Sequence, residues 1–524
     1  MREYEAYAGL RGEAEFRYDG QEIGTVGAQA VQPDDGKFRE SRSFDFQGWQ
    51  MGFQNYILVR GSACQYAEDH PDWPQISTPG PGHRFVLTTG KKPFPLWHRP
   101  SEYLPAMNVK NLTQSTWLPI LLLLSLGMGG CSNLPGWMLW QRKAAVTDFQ
   151  HFDNAPVLRA EQASELPPAG KENPLRLPAM ADGEIFPKML ERTGTTAFIV
   201  IRHGQIVMEQ YFNGGAHDTV MPSFSVAKSI VATLLGIALS EGSIGSIDDA
   251  VTLYLPELAK RDARFSQVRL RQLLEMRSGI DFEEEYKTPW DDAAVFYLTE
   301  DIAAEVRDLG IERNPDEAFH YSSGDTQILG LVIQRATGMP LPLYLQQKIW
   351  QPMGAAYDAS WSLDSREHGN AKAFCCLNAS AVDYARFGQL ILHEGKLGER
   401  QIVPAEWIRN SVAVRQHPGS NTASRWNIEN PGTRKAAFYT WHWRRFPLPD
   451  VSADSGMKPS PDIYAQGLLG QYVYIAPEAD MVIIRLGKRN GKTRWPSLFH
   501  DIAELNAGRK AAAENLTFGD KTGR

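Results

Sequence analysis

The chain has 524 residues, of which 43% are hydrophobic and 22% are charged, and its formal net charge is −7. This length can hold two or three average domains, and the composition is that of a globular protein with a large core. A negative net charge without a Lys/Arg-rich run argues against general nucleic-acid binding.

Residues 1–106 are rich in glycine, proline and aromatic side chains, and they show no sustained helical or strand period. We interpret this segment as an upstream extension of the reading frame and assign no function to it.

Residues 107–131 have the pattern of a short secretory signal. One positive charge at Lys110 precedes an apolar stretch over 117–128, and small residues lead to Cys131. The ending resembles a bacterial lipoprotein box in which Cys131 is lipidated. We therefore expect translation to start at Met107 and the product to cross the inner membrane, as a periplasmic or membrane-tethered lipoprotein. A buried core segment and an uncleaved membrane anchor are the two alternatives.

The flanks of the remaining chain are polar. Residues 132–184 are punctuated by prolines and predict a tether between a membrane surface and a folded domain. A folded domain is expected over 185–505, and a polar tail over 506–524.

Hydrophobic periodicity divides the expected domain into strands at its two ends and helices between them. Residues 196–212 predict a hairpin that turns at His203-Gly204, and 471–477 and 481–486 predict two further strands. Helical spacing follows Ser225 to about Gly242 and returns over 270–274, 301–306, 326–336 and 386–393. The fold class is therefore α/β (α+β), with an antiparallel sheet flanked by helices plus a helical insertion.

Ser225 and Lys228 lie at the head of the first long helical pattern. A serine one turn ahead of a lysine places Oγ and Nζ on one helix face, where the lysine can take or steer the hydroxyl proton. The same spacing recurs at Ser455 and Lys458, but glycine and proline around Ser455 argue against a helix there. An ordinary helix-capping serine is the alternative for Ser225.

Tyr321 stands in a Ser/Gly-rich turn just before another helical pattern. Two nearby ammonium or guanidinium groups would make its phenolate available as a base. A surface packing residue is the alternative for a lone tyrosine in such a turn.

These motifs, together with Gly467 to Gln471, resemble those of the penicillin-recognising serine hydrolases in order and rough spacing. The resemblance covers residues 185–500 and is strongest to the class C β-lactamase-like branch, which includes family VIII esterases and 6-aminohexanoate-dimer hydrolases. It implies a β-lactamase/transpeptidase-like fold and acyl transfer through a covalent intermediate. Its supporting stretches are residues 273–280 and 383–388.

The same resemblance assigns roles to individual residues. Ser225 would be the nucleophile, Lys228 its proton partner and Tyr321 the base that also protonates the leaving group. Backbone N–H groups of Ser225 and Gln471 would form the oxyanion hole. Ser323 would contact substrate with a hydroxyl where the family usually has asparagine.

The third motif departs from the family. Leu468, Leu469 and Gly470 stand where β-lactamases carry Lys-Thr-Gly. A cation that would hold a substrate carboxylate is therefore missing at this position, which favours a small neutral amide or ester substrate.

An acidic cluster, a tryptophan and the cysteines carry weaker functional signals. The acidic residues at 283–285 and 291–292 could attract an amine-bearing substrate, although a solvated acidic face is the simpler interpretation. Trp441 is a candidate substrate-binding residue, and core packing is its alternative. Adjacent Cys375 and Cys376 are too close for ordinary disulfide geometry. The cysteines and histidines show no metal-ligand spacing, so we expect neither metal nor cofactor.

Two other functions compete with a neutral-substrate hydrolase. One is a β-lactamase or D-alanyl-D-alanine carboxypeptidase, which the absent cation disfavours. The other is a non-catalytic, penicillin-binding-like sensor module, against which the intact Ser225, Lys228 and Tyr321 argue. An α/β-hydrolase is disfavoured because the chain contains no G-x-S-x-G motif.

Overall fold

The computed structural model describes residues 144–507 apart from 181–182, 419–424, 432 and 434, together with the backbone of four short strands before residue 87. The predicted signal segment with Cys131 and the tail beyond residue 507 lie outside the described residues. The chain divides into two compact units, Met1–Leu121 and Leu122–Arg524.

The first unit contains four strands, although no strand period was detected there in the sequence. They pair antiparallel in the order β3-β2-β1-β4. Their bounds are Glu5–Ala8 (β1), Glu13–Tyr18 (β2), Gln21–Gly27 (β3) and Phe85–Val86 (β4).

The second unit is built around an eight-stranded antiparallel sheet with the order β13-β14-β15-β16-β17-β18-β6-β7. The N-terminal hairpin of the domain thus pairs with its C-terminal strands, as predicted, because β18 lies beside β6. The strands are Thr195–Arg202 (β6), Gln205–Tyr211 (β7), Ile428–Glu429 (β13), Ala437–Tyr439 (β14), Arg444–Pro449 (β15), Met457–Gly467 (β16), Gln471–Ala476 (β17) and Met481–Gly487 (β18).

Helices cover both faces of this sheet. Along β6, Ala197, Ile199 and Ile201 enter the larger core, whereas Phe198 and Val200 enter a second core on the other face. Alternation in a strand sends successive side chains to opposite faces, so a continuous apolar run is buried on both. Helices Val226–Ser240 and Ala381–Leu392 pack on the first face, and Phe186–Arg192 and Trp495–Asn506 pack on the second.

The helical insertion is also confirmed. In chain order the helices are Phe186–Arg192 (α1), Val226–Ser240 (α2), Leu258–Arg261 (α3), Leu270–Leu274 (α4), Asp292–Leu298 (α5), Ile302–Asp308 (α6), Ser323–Thr337 (α7), Leu341–Leu345 (α8), Ala381–Leu392 (α9), Ala405–Ser411 (α10) and Trp495–Asn506 (α11). The predicted helix over 386–393 begins five residues earlier, because Ser380 caps it by accepting a hydrogen bond from the Asp383 N–H.

A second, four-stranded sheet leads into the site. Its order is β5-β9-β10-β8, and its strands are Asn154–Val157 (β5), Val220–Pro222 (β8), Ala359–Ser362 (β9) and Leu377–Ser380 (β10). A two-stranded hairpin, Lys396–Leu397 (β11) and Arg400–Gln401 (β12), completes the strands.

The tether predicted over 132–184 is wrong for its described part. Residues 154–157 pair with β9, and Ser164 and Ala169 form backbone hydrogen bonds to Gly354 and Ile206. The prolines in this segment do not keep it apart from the domain, because several of its backbone N–H groups find partners there.

The two adjacent cysteines are paired, with a Cα separation outside the ordinary disulfide range. Cys375 and Cys376 are joined by a disulfide although their Cα atoms are only 3.7 Å apart. Cys376 has a φ of 74°, a left-handed conformation that allows neighbouring side chains to meet.

Within the described part of the chain, no single helix is both long and apolar enough to cross a bilayer. One bent pair, Ser323–Thr337 with Leu341–Trp350, reaches that length and composition jointly, with an angle of 76° between its halves.

Candidate active site

Ser225 lies in a tight turn between β8 and α2. Ser223 fixes this turn by exchanging hydrogen bonds with Leu377 of β10, and Phe224 adopts a left-handed φ of 44°. Such a conformation is uncommon for a large side chain and is often found at functional sites. Ser225 then occupies the cap position of α2, but its hydroxyl makes no capping hydrogen bond. The capping alternative therefore does not account for this serine.

Lys228 lies one helical turn further on, and only 1% of it is exposed. Its Nζ donates hydrogen bonds to Ser225 Oγ at 3.3 Å, Ser323 Oγ at 2.9 Å and the Phe374 carbonyl at 3.0 Å. Three acceptors satisfy the three N–H groups of a buried ammonium. The spacing deduced from the sequence thus brings serine and lysine into contact.

Tyr321 joins these two residues. It comes two residues before α7, and Lys228 Nζ lies 5.1 Å from the centroid of its ring. Ser322 caps α7 by accepting a hydrogen bond from the Asp325 N–H, which fixes where the chain leaves the helix toward Tyr321. The ring also forms an edge contact with Tyr439 at 5.7 Å.

Ser323 connects Lys228 to an acidic side chain. Glu284 accepts the Ser323 backbone N–H at 2.6 Å through Oε2 and its hydroxyl at 2.8 Å through Oε1. The interpretation of residues 283–285 as a solvated face therefore fails for Glu284, which is half-buried, although Glu283 is exposed. Sequence patterns gave no reason to separate these three neighbours.

The third motif is not a strand. Residues 468–470 form a single helical turn, in which Leu469 has a φ of 60° and 45% of Leu468 is exposed. Gln471 is buried, and its side-chain amide bonds the Leu468 carbonyl and both backbone groups of Gly487.

Gly467 lies directly against the turn that contains Ser225. A Cβ on Gly467 would lie 2.2 Å from the Ser223 carbonyl oxygen and 3.2 Å from the Ser225 nitrogen. The end of β16 therefore touches the turn that presents Ser225. Sequence analysis missed this glycine as a site residue, although a glycine at the end of a strand pattern indicates a close backbone approach.

Trp441 belongs to the core. It is 4% exposed, its indole N–H donates to Glu275 at 3.1 Å, and the Arg415 guanidinium lies 4.2 Å from its ring. The next residue, His442, instead lies behind Lys228: its carbonyl accepts from Ser229, and its Nε2 contacts Thr326. Burial, reinforced by the charge of Lys228, lowers the pKa of His442 to about 3, so its imidazole is neutral.

The second serine–lysine pair has different surroundings. Ser455 lies in a turn before β16, and its hydroxyl bonds the backbone of Met457. Lys458 is exposed on the strand. No helix brings these two side chains together, in agreement with the prediction.

Among the described residues, two groups of side chains have the composition of metal ligands, Glu275–Asp316–His417 and Asp301–Asp364–His368. Arg271 donates to Glu275 at 3.2 Å and lies 3.8 Å from Asp316, so the first group is compensated by a guanidinium. In the second group, Asp301 and Asp364 accept backbone N–H groups at the start of α6.

Comparisons with known proteins agree with this geometry. The family model described as Beta-lactamase matches residues 184–507, more than half of the chain. A 6-aminohexanoate-dimer hydrolase from Paenarthrobacter ureafaciens is 27% identical over 364 residues, covering 65% of this chain and 82% of the relative. Esterase EstB from Burkholderia gladioli is 29% identical over 183 residues, covering 30% of this chain and 44% of the relative.

A solved structure supports the fold. A Bacillus anthracis protein, proposed to be a 6-aminohexanoate-dimer hydrolase, superposes with a TM-score of 0.56 at 22% identity. The alignment covers 70% of this chain and 94% of that protein. The β-lactamase/transpeptidase-like fold expected from the sequence is confirmed.

Proposed function

The chain belongs to the beta-lactamase family of serine hydrolases, and we propose that it cleaves a small neutral amide or ester through an acyl-enzyme on Ser225. The observation that carries this proposal is the contact between Lys228 Nζ and Ser225 Oγ at 3.3 Å, with the Tyr321 ring 5.1 Å from the same nitrogen. A serine hydroxyl hydrogen-bonded to a buried lysine, with a tyrosine ring against the same lysine nitrogen, is an arrangement suited to acyl transfer in which the tyrosine acts as the base.

The chemistry follows from these three side chains. Tyr321, as phenolate, takes the hydroxyl proton of Ser225 while Oγ attacks the substrate carbonyl carbon. The C–N bond of an amide or the C–O bond of an ester then breaks, and Tyr321 returns the proton to the leaving amine or alcohol. In deacylation, a water molecule gives a proton to the Tyr321 phenolate, and the water oxygen attacks the acyl carbon. The acyl–Oγ bond breaks, Ser225 regains its proton and a carboxylic acid is released.

Backbone donors for the developing oxyanion are proposed as the N–H groups of Ser225 and Gln471. Support for this side of the site comes from Gly467, which brings the end of β16 against the Ser225 turn. Donors fixed in the backbone need no reorganisation when charge develops on the substrate oxygen.

A neutral substrate is supported by the charges around the nucleophile. Leu468 is apolar and 45% exposed, so it offers contact area but no charge to a substrate carboxylate. Glu284 places a carboxylate on Ser323, which disfavours a second anion nearby. One relative is named for hydrolysis of 6-aminohexanoate dimers, which are amides, and another is named as an esterase.

Two alternatives predict different outcomes. A β-lactamase or D-alanyl-D-alanine carboxypeptidase would turn over substrates that carry a carboxylate. A sensor module would be acylated at Ser225 without turnover, although Lys228 and Tyr321 remain in place to promote deacylation.

One experiment separates these functions. The purified protein would be labelled with a fluorophosphonate and mapped by peptide mass spectrometry, with Ser225→Ala and Ser455→Ala as the test and control variants. Hydrolysis would then be measured on p-nitrophenyl esters, uncharged linear amides, the linear 6-aminohexanoate dimer, D-alanyl-D-alanine peptides and nitrocefin. We expect label on Ser225 alone and the highest kcat/KM on uncharged esters or amides. Label on another serine, or comparable turnover of nitrocefin, would contradict the proposal.

We also propose that translation starts at Met107 and that the protein is exported and lipidated at Cys131. The support is the order of Lys110, the apolar stretch over 117–128 and the small residues before Cys131. Expression from Met107 should give activity in the membrane fraction and a lipid-modified N-terminal peptide, and Cys131→Ser should abolish both. A product in cells that begins at Met1 would contradict this.

A further inference from the structure

Arg444 lies beside Tyr321 but belongs to a different part of the chain. Its Cζ is 5.3 Å from the centroid of the Tyr321 ring and also 5.3 Å from that of Tyr439. Only 5% of the residue is exposed. A guanidinium stacked on an aromatic ring at this distance is an attractive arrangement in a desolvated site.

Glu429 holds the guanidinium in place. It accepts two hydrogen bonds from Arg444, one from Nη2 at 2.8 Å and one from Nε. Burial disfavours the charge on Arg444, yet the charge and hydrogen bonds of Glu429 raise the pKa of the guanidinium well above its ordinary value. Arg444 is therefore a permanent cation with a fixed orientation.

The sheet register explains why this cation reaches the site. Arg444 begins β15 and stands opposite Tyr464 of β16, three residues before Gly467, which touches the Ser225 turn. The guanidinium therefore enters from the strand next to the third motif, whose own residues 468–470 carry no charge.

Arg444 is poorly placed to bind a substrate carboxylate. It is buried, and Nε and Nη2 are already committed to Glu429 in a bidentate pair. The other neighbours of the guanidinium are the Tyr321 and Tyr439 rings, each 5.3 Å from its Cζ, so its charge acts on these side chains.

The titratable neighbours of Tyr321 indicate what the cation does. Burial raises the pKa of Tyr439 well above its ordinary value, so this second phenol stays protonated and does not compete as a base. Two cations, Lys228 and Arg444, then lie within 5.3 Å of the Tyr321 ring. Tyr286 interacts electrostatically with Tyr321 itself. Glu284, Asp325 and His442 lie around Ser323 and Lys228, and Glu429 pairs with Arg444.

We propose that Arg444 is a positioning residue that, with Lys228, stabilises the phenolate form of Tyr321, and that Glu429 orients it for this role. The inference rests on the proposed function, in which Tyr321 takes the proton of Ser225. The second cation beside Tyr321 is thus Arg444 of β15, which lies outside the three sequence motifs.

The test is the pH dependence of kcat/KM on a neutral p-nitrophenyl ester. In Arg444→Met, the acidic limb of the profile should move to higher pH by about one unit, because the phenolate of Tyr321 loses an adjacent cation. At pH 7, kcat should fall about tenfold or more with little change in KM. Arg444→Lys should keep the limb near its original position, since the charge remains.

Arg445 provides a matched control. It is the next residue on β15, and its guanidinium bonds the carbonyls of Ser460 and Val412. Successive strand residues point to opposite faces, so Arg445→Met removes a neighbouring guanidinium without touching Tyr321. We expect an unchanged acidic limb in this variant.

Two further variants keep the test decisive. Arg444→Met/Glu429→Gln leaves no unpaired buried carboxylate and should fold if Arg444→Met does not. Its acidic limb should also move to higher pH, by no more than in Arg444→Met, because the Glu429 anion is removed as well. Glu429→Gln retains the cation and should leave the limb in place or lower it. An unchanged limb in both variants that lack Arg444, or an upward shift in Glu429→Gln, would overturn the inference. If those results overturn the role of Arg444 but Tyr321→Phe is inactive, the proposed function still stands. If Tyr321→Phe is active, the proposed function itself is wrong.

Discussion

Replacing Gly467 with alanine tests how closely the third motif must approach the nucleophile. Gly467 has a φ of −122°, which alanine adopts without strain, so the substitution acts through space alone. The added Cβ would lie 2.2 Å from the Ser223 carbonyl oxygen and 3.1 Å from Phe224 Cβ. Relieving the first contact requires a shift of about 1 Å in either the strand end or the Ser225 turn, given ordinary contact distances.

A displacement of that size has a predictable cost. Misplacing a reacting group by about 1 Å reduces the rate by about 10²-fold, equivalent to about 2.7 kcal/mol in the activation free energy. Overpacking of this kind also reduces the free energy of unfolding by about 1–3 kcal/mol. Steady-state kinetics on a p-nitrophenyl ester would give kcat and KM, and thermal melting would give Tm for the same preparations.

Gly215→Ala is the control for a clash without catalytic consequence. Its Cβ would also lie 2.2 Å from a carbonyl oxygen, that of Thr196. This glycine follows β7 at the far edge of the sheet, with β6, β18 and β17 between that strand and β16. We expect a similar decrease in Tm and an unchanged kcat. If Gly467→Ala kept wild-type kcat while its Tm fell as in the control, the close approach of β16 to Ser225 would have no role in catalysis.

Three further outcomes are expected. Lys228→Ala and Tyr321→Phe should each lower kcat by about 10²-fold or more, and the double variant should be little worse than either if the two side chains act as one unit; multiplied losses would contradict this. Leu468→Lys should narrow the difference in kcat/KM between uncharged esters and penicillins, and an unchanged ratio would show that this position does not meet the substrate carboxylate. Because the pKa of His442 is lowered to about 3, only the unfolded chain takes up its proton as the pH falls below 6.5, so the free energy of unfolding should decrease by about 1.4 kcal/mol per unit from there toward pH 3. Thermal melting across this range should give a flatter curve for His442→Gln, and parallel curves would contradict the assignment.

The sheet and the helices could be predicted because their signals are local. The hairpin around His203-Gly204 and strands β17 and β18 follow apolar runs bounded by turn residues, and the structure has them within one or two residues. The contact between Ser225 and Lys228 was equally local, because one helical turn fixes it. The pairing of the two ends of the domain is confirmed, but the four strands between residues 428 and 467 were not predicted.

The rest of the site depends on contacts between distant parts of the chain. Glu284 reaches Ser323 across 39 residues, and nothing in its acidic neighbourhood marks it as different. Arg444 reaches Tyr321 because β14 and β15 place it there, which composition and spacing do not reveal. Within the third motif, Leu469 has a left-handed φ, and it is Gly467, at the end of β16, that contacts the turn of Ser225.

The charges brought together in this way favour the proposed neutral substrate. Lys228 is linked through Ser323 to Glu284, and Arg444 is paired directly with Glu429. Each cation near Tyr321 therefore has one carboxylate associated with it among the described residues. A substrate carboxylate entering here would find both cations already associated with carboxylates. No new ion pair would then offset the free-energy cost of its desolvation. A neutral ester or amide carries no such cost, and in the proposed mechanism both cations stay beside Tyr321, whose phenolate form takes the Ser225 proton.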